Sequence, residues 1–555
     1  MKRLMIALCL LVGTYMYAEN DTTLYRVVTV ERDFQPVIQS AGKINQRPAV
    51  LQHDLELNPV VYSTYSNPLP IGFNIPTLQV AATSFTPQAP LNGILEGGIG
   101  YRNTHLLFGY QINQKKKMSL NLYAKHDAQW GLDALSLSTL GLIATRHFSS
   151  TNLYVGVEGN HEFFTYYGKR FNGTDGYKPA RLNDMEATNI LKINANIGLQ
   201  STQKAPLQYR VQTGYAAYVI DWQVEHQVRT HLDLFWQNDA HGVGAKAYVQ
   251  NNIHVDGPYL PSGENHIVAR HAIRVEPFYE YNSKHIHLHL GVNVDLNVGT
   301  GELLSSIKNL SFAPSPNVQF EWNMMDNIFH FYAHAKGSYG IGSLEEYLGY
   351  NRYLNIEDGR SFNQPRAYTP IDAQVGFKIR PAKTLLIDIY GGYAYLQEAC
   401  NMQANLHGGA VSTGVTYYSL WQDDYQRWKA GASMHYHYRD ILELNVAGNY
   451  YFWTAEQPIY DRPNWDIKAR LDVHIDSKWS IYSDNYFACS RLAHTIQGDH
   501  TLAPIISLNI GGQYAVNRWL VAYLQLNDYL HRRSEYFYGY HSQGIHFLAG
   551  VKFKF

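Results

Sequence analysis

From about residue 93 to the C-terminus the chain alternates between apolar and polar positions. In residues 284–298, Ile286, Leu288, Leu290, Val292, Val294 and Leu296 share one parity; His285, His287, His289, Gly291, Asn293 and Asp295 share the other. In residues 465–475 the apolar set is Trp465, Ile467, Ala469, Leu471, Val473 and Ile475, and the polar set is Asp466, Lys468, Arg470, Asp472 and His474. Residues 191–200 repeat the pattern, with Leu191, Ile193, Ala195, Ile197 and Leu199 against Lys192, Asn194, Asn196, Gly198 and Gln200. A helix would space its apolar residues three and four apart, so a period of two predicts strands with one apolar and one polar face.

Short polar stretches separate many of these strands, among them Gln114-Lys115-Lys116-Lys117, Ser149-Ser150-Thr151, Asn282-Ser283-Lys284, Arg439-Asp440, Asp476-Ser477-Lys478 and Asn517-Arg518. The alternate connections are longer: residues 164–187, 342–365, 397–427 and 531–543. Short turns at one rim and long loops at the other are the layout of a transmembrane antiparallel β-barrel. The fold class expected is therefore all-β, one barrel over residues 93–555 with about 22 strands (range about 20–24), an even number because both ends lie at the periplasmic rim. Residues 410–421 leave room for a further pair.

The final strand carries the sharpest signal. Ile545, Phe547, Ala549, Val551, Phe553 and Phe555 alternate with His546, Leu548, Gly550, Lys552 and Lys554, and the chain stops on the aromatic Phe555. Phe547, Val551, Phe553 and Phe555 resemble the terminal pattern by which the barrel assembly machinery recognises its substrates. An unpaired apolar edge would be an aggregation hazard in a soluble protein, and closure of a barrel removes it.

Composition narrows the class further. Charged residues make up 16% of the chain, below the ~25% of average soluble proteins, while 45% are hydrophobic and 44 are tyrosines against 22 phenylalanines. Mean hydropathy is −0.30, and no later run approaches the ~18 apolar residues of a spanning helix. Tyrosine suits the interfacial girdles of a barrel that meets lipid outside and water inside. A net charge of −1 gives no support for nucleic-acid binding. Lys2 and Arg3, the apolar stretch of residues 4–16 and the small Ala18 read as a signal peptide over residues 1–18. Two cysteines follow it, Cys400 and Cys489; a disulfide between them is left open.

Residues 19–92 differ in texture. Eight prolines (Pro36, Pro48, Pro59, Pro68, Pro70, Pro76, Pro87 and Pro90) and little periodicity predict an extended periplasmic segment. Within it, Val30, Glu31, Arg32, Asp33, Phe34, Gln35 and Pro36, followed by Lys43-Ile44-Asn45, resemble a segment preceding the barrel in a group of Bacteroidota outer-membrane proteins. Those proteins are TonB-dependent-receptor-like but lack the plug domain. The resemblance implies an outer-membrane barrel with a periplasmic partner contacted through Val30, Glu31, Arg32, Asp33 and Phe34; it carries over no substrate. Val27-Val28-Thr29-Val30 only faintly matches an energy-coupling box, and residues 19–92 are too few for a folded plug of the family's pattern.

Candidate chemistry is sparse. His285, His287 and His289 fall on one face at intervals of about 7 Å, with Asn293 beyond them; a His-x-His pair would ligate a metal only with a third ligand from a neighbour, and polar lumen residues are the simpler reading. Asp466, Lys468, Arg470 and Asp472 place both charge signs on one wall, either shaping a field across a channel or pairing to stiffen it. No G-x-S-x-G, H-E-x-x-H or P-loop motif occurs, so neither an enzyme nor a cofactor is expected. A barrel of this width is too wide for its own side chains to fill. The expected function is passage of solutes across the outer membrane. The alternative is a structural or assembly barrel that anchors a periplasmic or surface partner through residues 19–92.

Overall fold

The computed structural model describes residues 92–555 except residues 115–116, 132, 168–169, 173–175, 179–185, 203–206, 221–222, 256–266, 301–309, 326–327, 355–367, 407–415, 496–497 and 531–533. The signal peptide, the segment 19–92 and Val30–Phe34 within it lie outside the described residues.

Twenty-two strands form one closed sheet. They are β1 (Gly93–Tyr101), β2 (Asn103–Gln114), β3 (Met118–Gln129), β4 (Leu135–His147), β5 (Thr151–Tyr166), β6 (Glu186–Ser201), β7 (Leu207–Ile220), β8 (Gln223–Asn238), β9 (His241–Val255), β10 (Ile267–Asn282) and β11 (Ile286–Thr300). The second half comprises β12 (Leu310–Met324), β13 (Phe329–Tyr339), β14 (Tyr368–Ala382), β15 (Leu385–Leu406), β16 (Thr416–Tyr438), β17 (Leu442–Ala455), β18 (Trp465–His474), β19 (Trp479–Cys489), β20 (Ile505–Ala515), β21 (Leu520–Asn527) and β22 (His546–Lys554). Each strand pairs antiparallel with its sequence neighbours, and β1 closes the ring on β22 from Ile94↔Lys554 to Tyr101↔Phe547. The seam is finished by two backbone hydrogen bonds, Gly93 N to Phe555 O at 2.7 Å and Phe555 N to Gly93 O at 3.0 Å. The fold class read from periodicity is the one found, with the expected strand number.

The alternation sets the two faces. On β11, Leu290 and Val292 are 43% and 49% exposed, whereas His289, Asn293 and Asp295 are buried. The same contrast runs round the ring, with Ile99, Leu140, Ile193, Val243, Ile389, Phe452, Leu524 and Val551 exposed. A closed barrel with an apolar outer belt is a membrane-spanning structure, because closure alone satisfies every backbone group in hydrocarbon. The short turns hold themselves. Asn517 Oδ1 accepts from the backbone N–H of Trp519 and Leu520 at 2.8 and 2.9 Å, and Asp476 Oδ1 from those of Lys478 and Trp479, both at 2.7 Å.

Several boundaries differ from the expectation. Residues 397–427 are for the most part not a loop: β15 and β16 run on as a 22- and 23-residue hairpin, and residues 416–421 belong to β16. His285 lies in the exposed turn before β11 and not on its wall. Cys489 is a free thiol.

Tyrosine also has a use beyond a girdle. Tyr123, Tyr154, Tyr332, Tyr390, Tyr482 and Tyr523 sit directly opposite Gly141, Gly198, Gly376, Gly431, Gly511 and Gly550 on the following strand. Each ring covers its glycine; a Cβ on Gly431 would come within 2.4 Å of the Tyr390 ring. Three of the phenols reach on to polar neighbours: Tyr332 to Asp388 at 2.9 Å, Tyr390 to Asn449 at 2.7 Å, Tyr123 to Glu158. Aromatic cover of strand glycines pins register.

Two outcomes are expected. Leu290→Arg, placing a cation on the lipid face, destabilises the barrel by roughly 2–4 kcal/mol near the bilayer midplane, measured by denaturant titration of folding into lipid vesicles. Removing Phe555 deletes both seam bonds and the ring stacked 6.0 Å from Tyr110. Less heat-modifiable barrel and more unfolded precursor are expected on gels of cell fractions.

Candidate functional site

The β13–β14 connection does not stay at the rim. The irregular end of β13 and the connection after it turn across the polar face of the ring, and their backbone is gripped by successive strands. Asn293 Nδ2 of β11 donates to Gly337 O at 2.9 Å, Arg274 and Arg270 of β10 donate to Tyr339 O and Ile341 O at 3.2 and 3.3 Å, and Asn252 Nδ2 of β9 donates to Gly342 O at 3.0 Å. The N–H of Leu344 then donates to Glu225 Oε2 of β8 at 3.0 Å. Glu345 bridges Lys192 of β6 and Arg229 of β8, the latter at 3.1 Å, and Arg352 meets Glu162 of β5 at 2.8 Å. A segment that touches β11, β10, β9, β8, β6 and β5 in turn lies within the ring, so the polar face is the lumen face.

Residues Leu344–Tyr350 form a short helix, α1, capped by Ser343, whose Oγ accepts from Glu346 N at 3.1 Å. Gly342 precedes it with φ +55, the left-handed region, and a Cβ there would lie 2.0 Å from the Tyr347 hydroxyl, so glycine is required. Leu344, Tyr347 and Leu348 bury one face of α1. They join Leu135, Phe164, Tyr166, Ile190, Tyr218, Ile220, Met402, Phe537 and Tyr540 in an apolar cluster at the long-connection end of the barrel. Tyr353 stacks on Tyr540 with ring centres 3.7 Å apart, so the β13–β14 and β21–β22 connections meet over the lumen.

Charged side chains fasten two further connections, β17–β18 through Arg462 and β19–β20 through Arg491. Arg491, 1% exposed, donates to Tyr536 O at 2.5 Å, Ala503 O at 3.0 Å and Glu535 O. Arg462 donates to the Tyr425 hydroxyl and lies over the rings of Tyr350 and Trp453. Beside them Asp461 is buried with neither carboxyl oxygen hydrogen-bonded; burial pushes its carboxyl well above the usual carboxylate range, up to about 8, against the pull of Arg491 and Arg462.

The residues singled out in the sequence fall into four groups. Asn293, 1% exposed, holds the end of β13 at Gly337, from which the inserted connection departs. His289 lies between Glu280 (3.1 Å) and Glu276 (3.2 Å), and Glu276 also accepts from Lys246 and Asn317; His287 hydrogen-bonds Asn282. With His285 in the turn, the three histidines are not brought together. On β18, Arg470 makes two bonds to Asp472 at 2.8 and 2.9 Å and reaches Asp484 at 3.4 Å. Asp466 accepts from Asn449 and Tyr451, and Lys468 stays exposed over the Tyr486 ring. Phe547, Val551, Phe553 and Phe555 are exposed on the outer face. Missed altogether were Glu345, Arg352 and the α1 segment. A signal was present: Ser343-Leu344-Glu345-Glu346 is a capping box, and Leu344, Tyr347 and Leu348 have helical spacing amid two-residue alternation.

No family model matches the chain, and no curated protein matches it. Solved structures do, over 84% of its length. The pyoverdine outer-membrane receptor FpvA from Pseudomonas aeruginosa PAO1, bound to pyoverdine, aligns with a TM-score of 0.65 at 10% identity over 79% of its own chain. The FrpB iron transporter from Neisseria meningitidis gives 0.64 at 9% identity over 82%. The ferric-catecholate import receptor Fiu from K12 E. coli, in its closed form, gives 0.61 at 10% identity over 82%. The chain thus has the 22-stranded barrel fold of these outer-membrane receptors and transporters.

Proposed function

We propose that this chain is an outer-membrane barrel that passes solutes, with residues 337–354 as the constriction that governs passage. The carrying observation is the inserted connection itself: a segment running inside the ring, fastened by Glu345 to Lys192 and Arg229 and by Arg352 to Glu162. A barrel that served only as an anchor has no use for a shaped, charge-fastened lumen. Of the three solved structures two are a transporter and an import receptor and the third is a receptor bound to its ligand; solute passage is carried to this chain on its fold. The lumen wall is read as Asn293 holding the constriction, Lys468 facing the water path, and Asp466, Arg470 and Asp472 stiffening one another. Residues 19–92 are read as a periplasmic segment that docks a partner or occludes the inner mouth.

Single-channel conductance of the purified full-length protein tests the reading, beside a chain lacking residues 19–92 and the variant Glu345→Gln with Arg352→Gln. Removing the fastening charges should raise conductance or multiply the gating steps while the barrel stays heat-modifiable. Opening only without residues 19–92 would make that segment the stopper. Silence in all three would favour the anchor. Arg32→Ala with Phe34→Ala should leave conductance unchanged and release a co-purifying periplasmic protein; a pull-down with no partner on the parent chain would remove the docking role.

A further inference from the structure

The outer face of the barrel is not the same all the way round. On β16, β17 and β18 it carries aromatic rings toward the long-connection end. Trp428, Tyr450, Phe452 and Trp465 are 38–56% exposed and stand ninth to eleventh along their strands, counted from the short-turn end. A strand crosses the hydrocarbon in about 9–11 residues, so these rings form the interfacial girdle of the outer leaflet.

At the same depth β3, β5, β8 and β10 carry histidine instead. His126, His161, His226 and His271 are the ninth, eleventh, thirteenth and twelfth residues from the short-turn end of their strands. Each shares its parity with an exposed or partly exposed apolar residue (Leu122, Val157, Val228 and Ile273), so all four face outward. One nitrogen of each ring is committed to a neighbouring strand. His126 Nδ1 pairs with Ser138 Oγ and His226 Nδ1 with the Tyr215 hydroxyl, both at 2.8 Å. His271 Nδ1 donates to Asn251 Oδ1 at 2.8 Å, and His161 Nε2 to Asn189 Oδ1 at 3.2 Å.

An imidazole that already donates from one nitrogen can donate from the other only as the cation. An anionic acceptor therefore binds such a ring together with a proton. Directly across the ladder the four rings meet only Ser138, Asn251 and apolar residues. Among the described residues Tyr215 is the one titratable group hydrogen-bonded to them.

We propose that the outer face from β3 to β10 docks phosphorylated lipid of the outer leaflet, whose headgroup phosphates accept hydrogen bonds from the second ring nitrogens of His126, His161, His226 and His271. The occupant follows from depth and chemistry. At this distance from the short-turn end the surface leaves the hydrocarbon and meets the headgroups. Phosphate is the anionic acceptor there, and an imidazolium N–H meeting it makes a charge-assisted bond. One side of the barrel is thus seated in the leaflet by rings and the other by headgroup contacts. The inference is independent of the passage reading.

Full-length protein, delipidated in a nonionic detergent, is titrated with diphosphoryl and monophosphoryl lipid A and read by native mass spectrometry at pH 6 and pH 8. Phosphate itself gains charge as pH rises through about 6, so binding that strengthens as pH falls comes from the protein. The diphosphoryl lipid should bind roughly fivefold or more tighter than the monophosphoryl one, and roughly fivefold or more tighter at pH 6 than at pH 8. His126→Phe with His161→Phe, His226→Phe and His271→Phe gives this side the aromatic girdle of the other, so the barrel should stay heat-modifiable while both preferences vanish. The four His→Gln changes keep a side-chain donor at each position and should abolish the pH dependence. Trp428→Phe with Tyr450→Phe, on the aromatic side, should leave both preferences intact. Equal binding of the two lipids, pH-independent binding by the unaltered chain, or undiminished binding by the four-Phe variant would each overturn the proposal. So would a dimer that the four-Phe variant loses, which would assign this face to a second copy of the chain.

Discussion

The structure depends on one constraint: in hydrocarbon no backbone N–H or C=O can go without a partner. Each unsatisfied group costs several kcal/mol, so the sheet has to close, and the seam between β1 and β22 is where that demand is met last. Eight residue pairs make it, and the bonds between Gly93 and Phe555 finish it. The terminal aromatic therefore serves twice, in the ladder and as ring cover over Gly93 and Tyr110. Alternation along every other strand follows from the same closure, because one face must then meet lipid and the other water.

Closure at this strand number creates a second problem. The ring is too wide for its own side chains to fill, and the described residues answer with backbone from the end of β13 and the connection after it. Residues 337–344 bring carbonyls and an N–H to the wall, and the wall meets them with Asn293, Arg274, Arg270, Asn252 and Glu225. These buried polar groups are held in place by what they bind, which is why the wall of β8–β11 is rich in Arg, Asn and Glu. The fastening ion pairs of Glu345 and Arg352 are only partly buried. Such pairs contribute modestly and depend on salt, a fitting property for a constriction that has to yield.

The inner face also shows how register is kept in a sheet with so little hydrophobic core. Tyrosine rings laid over cross-strand glycines fill the space each glycine leaves, and those of Tyr123, Tyr332 and Tyr390 also carry a phenol to the next polar group. Six such pairs, each running from one strand to the strand after it, recur from β3 to β22. A slip of one residue would uncover the glycine and turn the phenol toward lipid.

The sequence by itself determined the class of fold, the number of strands, the closure on the last strand and the two faces of the most regular strands. All of these follow from a period of two and from turn chemistry, which are local. It also showed His289, Asn293, Asp466, Arg470 and Asp472 as polar wall residues, but not their work, since that depends on neighbours across the ladder. His289 reads as a candidate ligand in the sequence; only Glu276 and Glu280 on the paired strand make it the centre of an ion-pair network. The length of the β15–β16 hairpin was obscured because beyond the membrane the lipid no longer enforces alternation. Where the β13–β14 connection goes was decided by the tertiary structure alone. Ser343 and Glu346 announce a helix, yet nothing local tells a chain whether a capped turn lies on the rim or inside a ring. That choice belongs to Lys192, Arg229, Glu162 and Glu225, which are more than 100 residues away along the chain and become its neighbours only when the barrel closes.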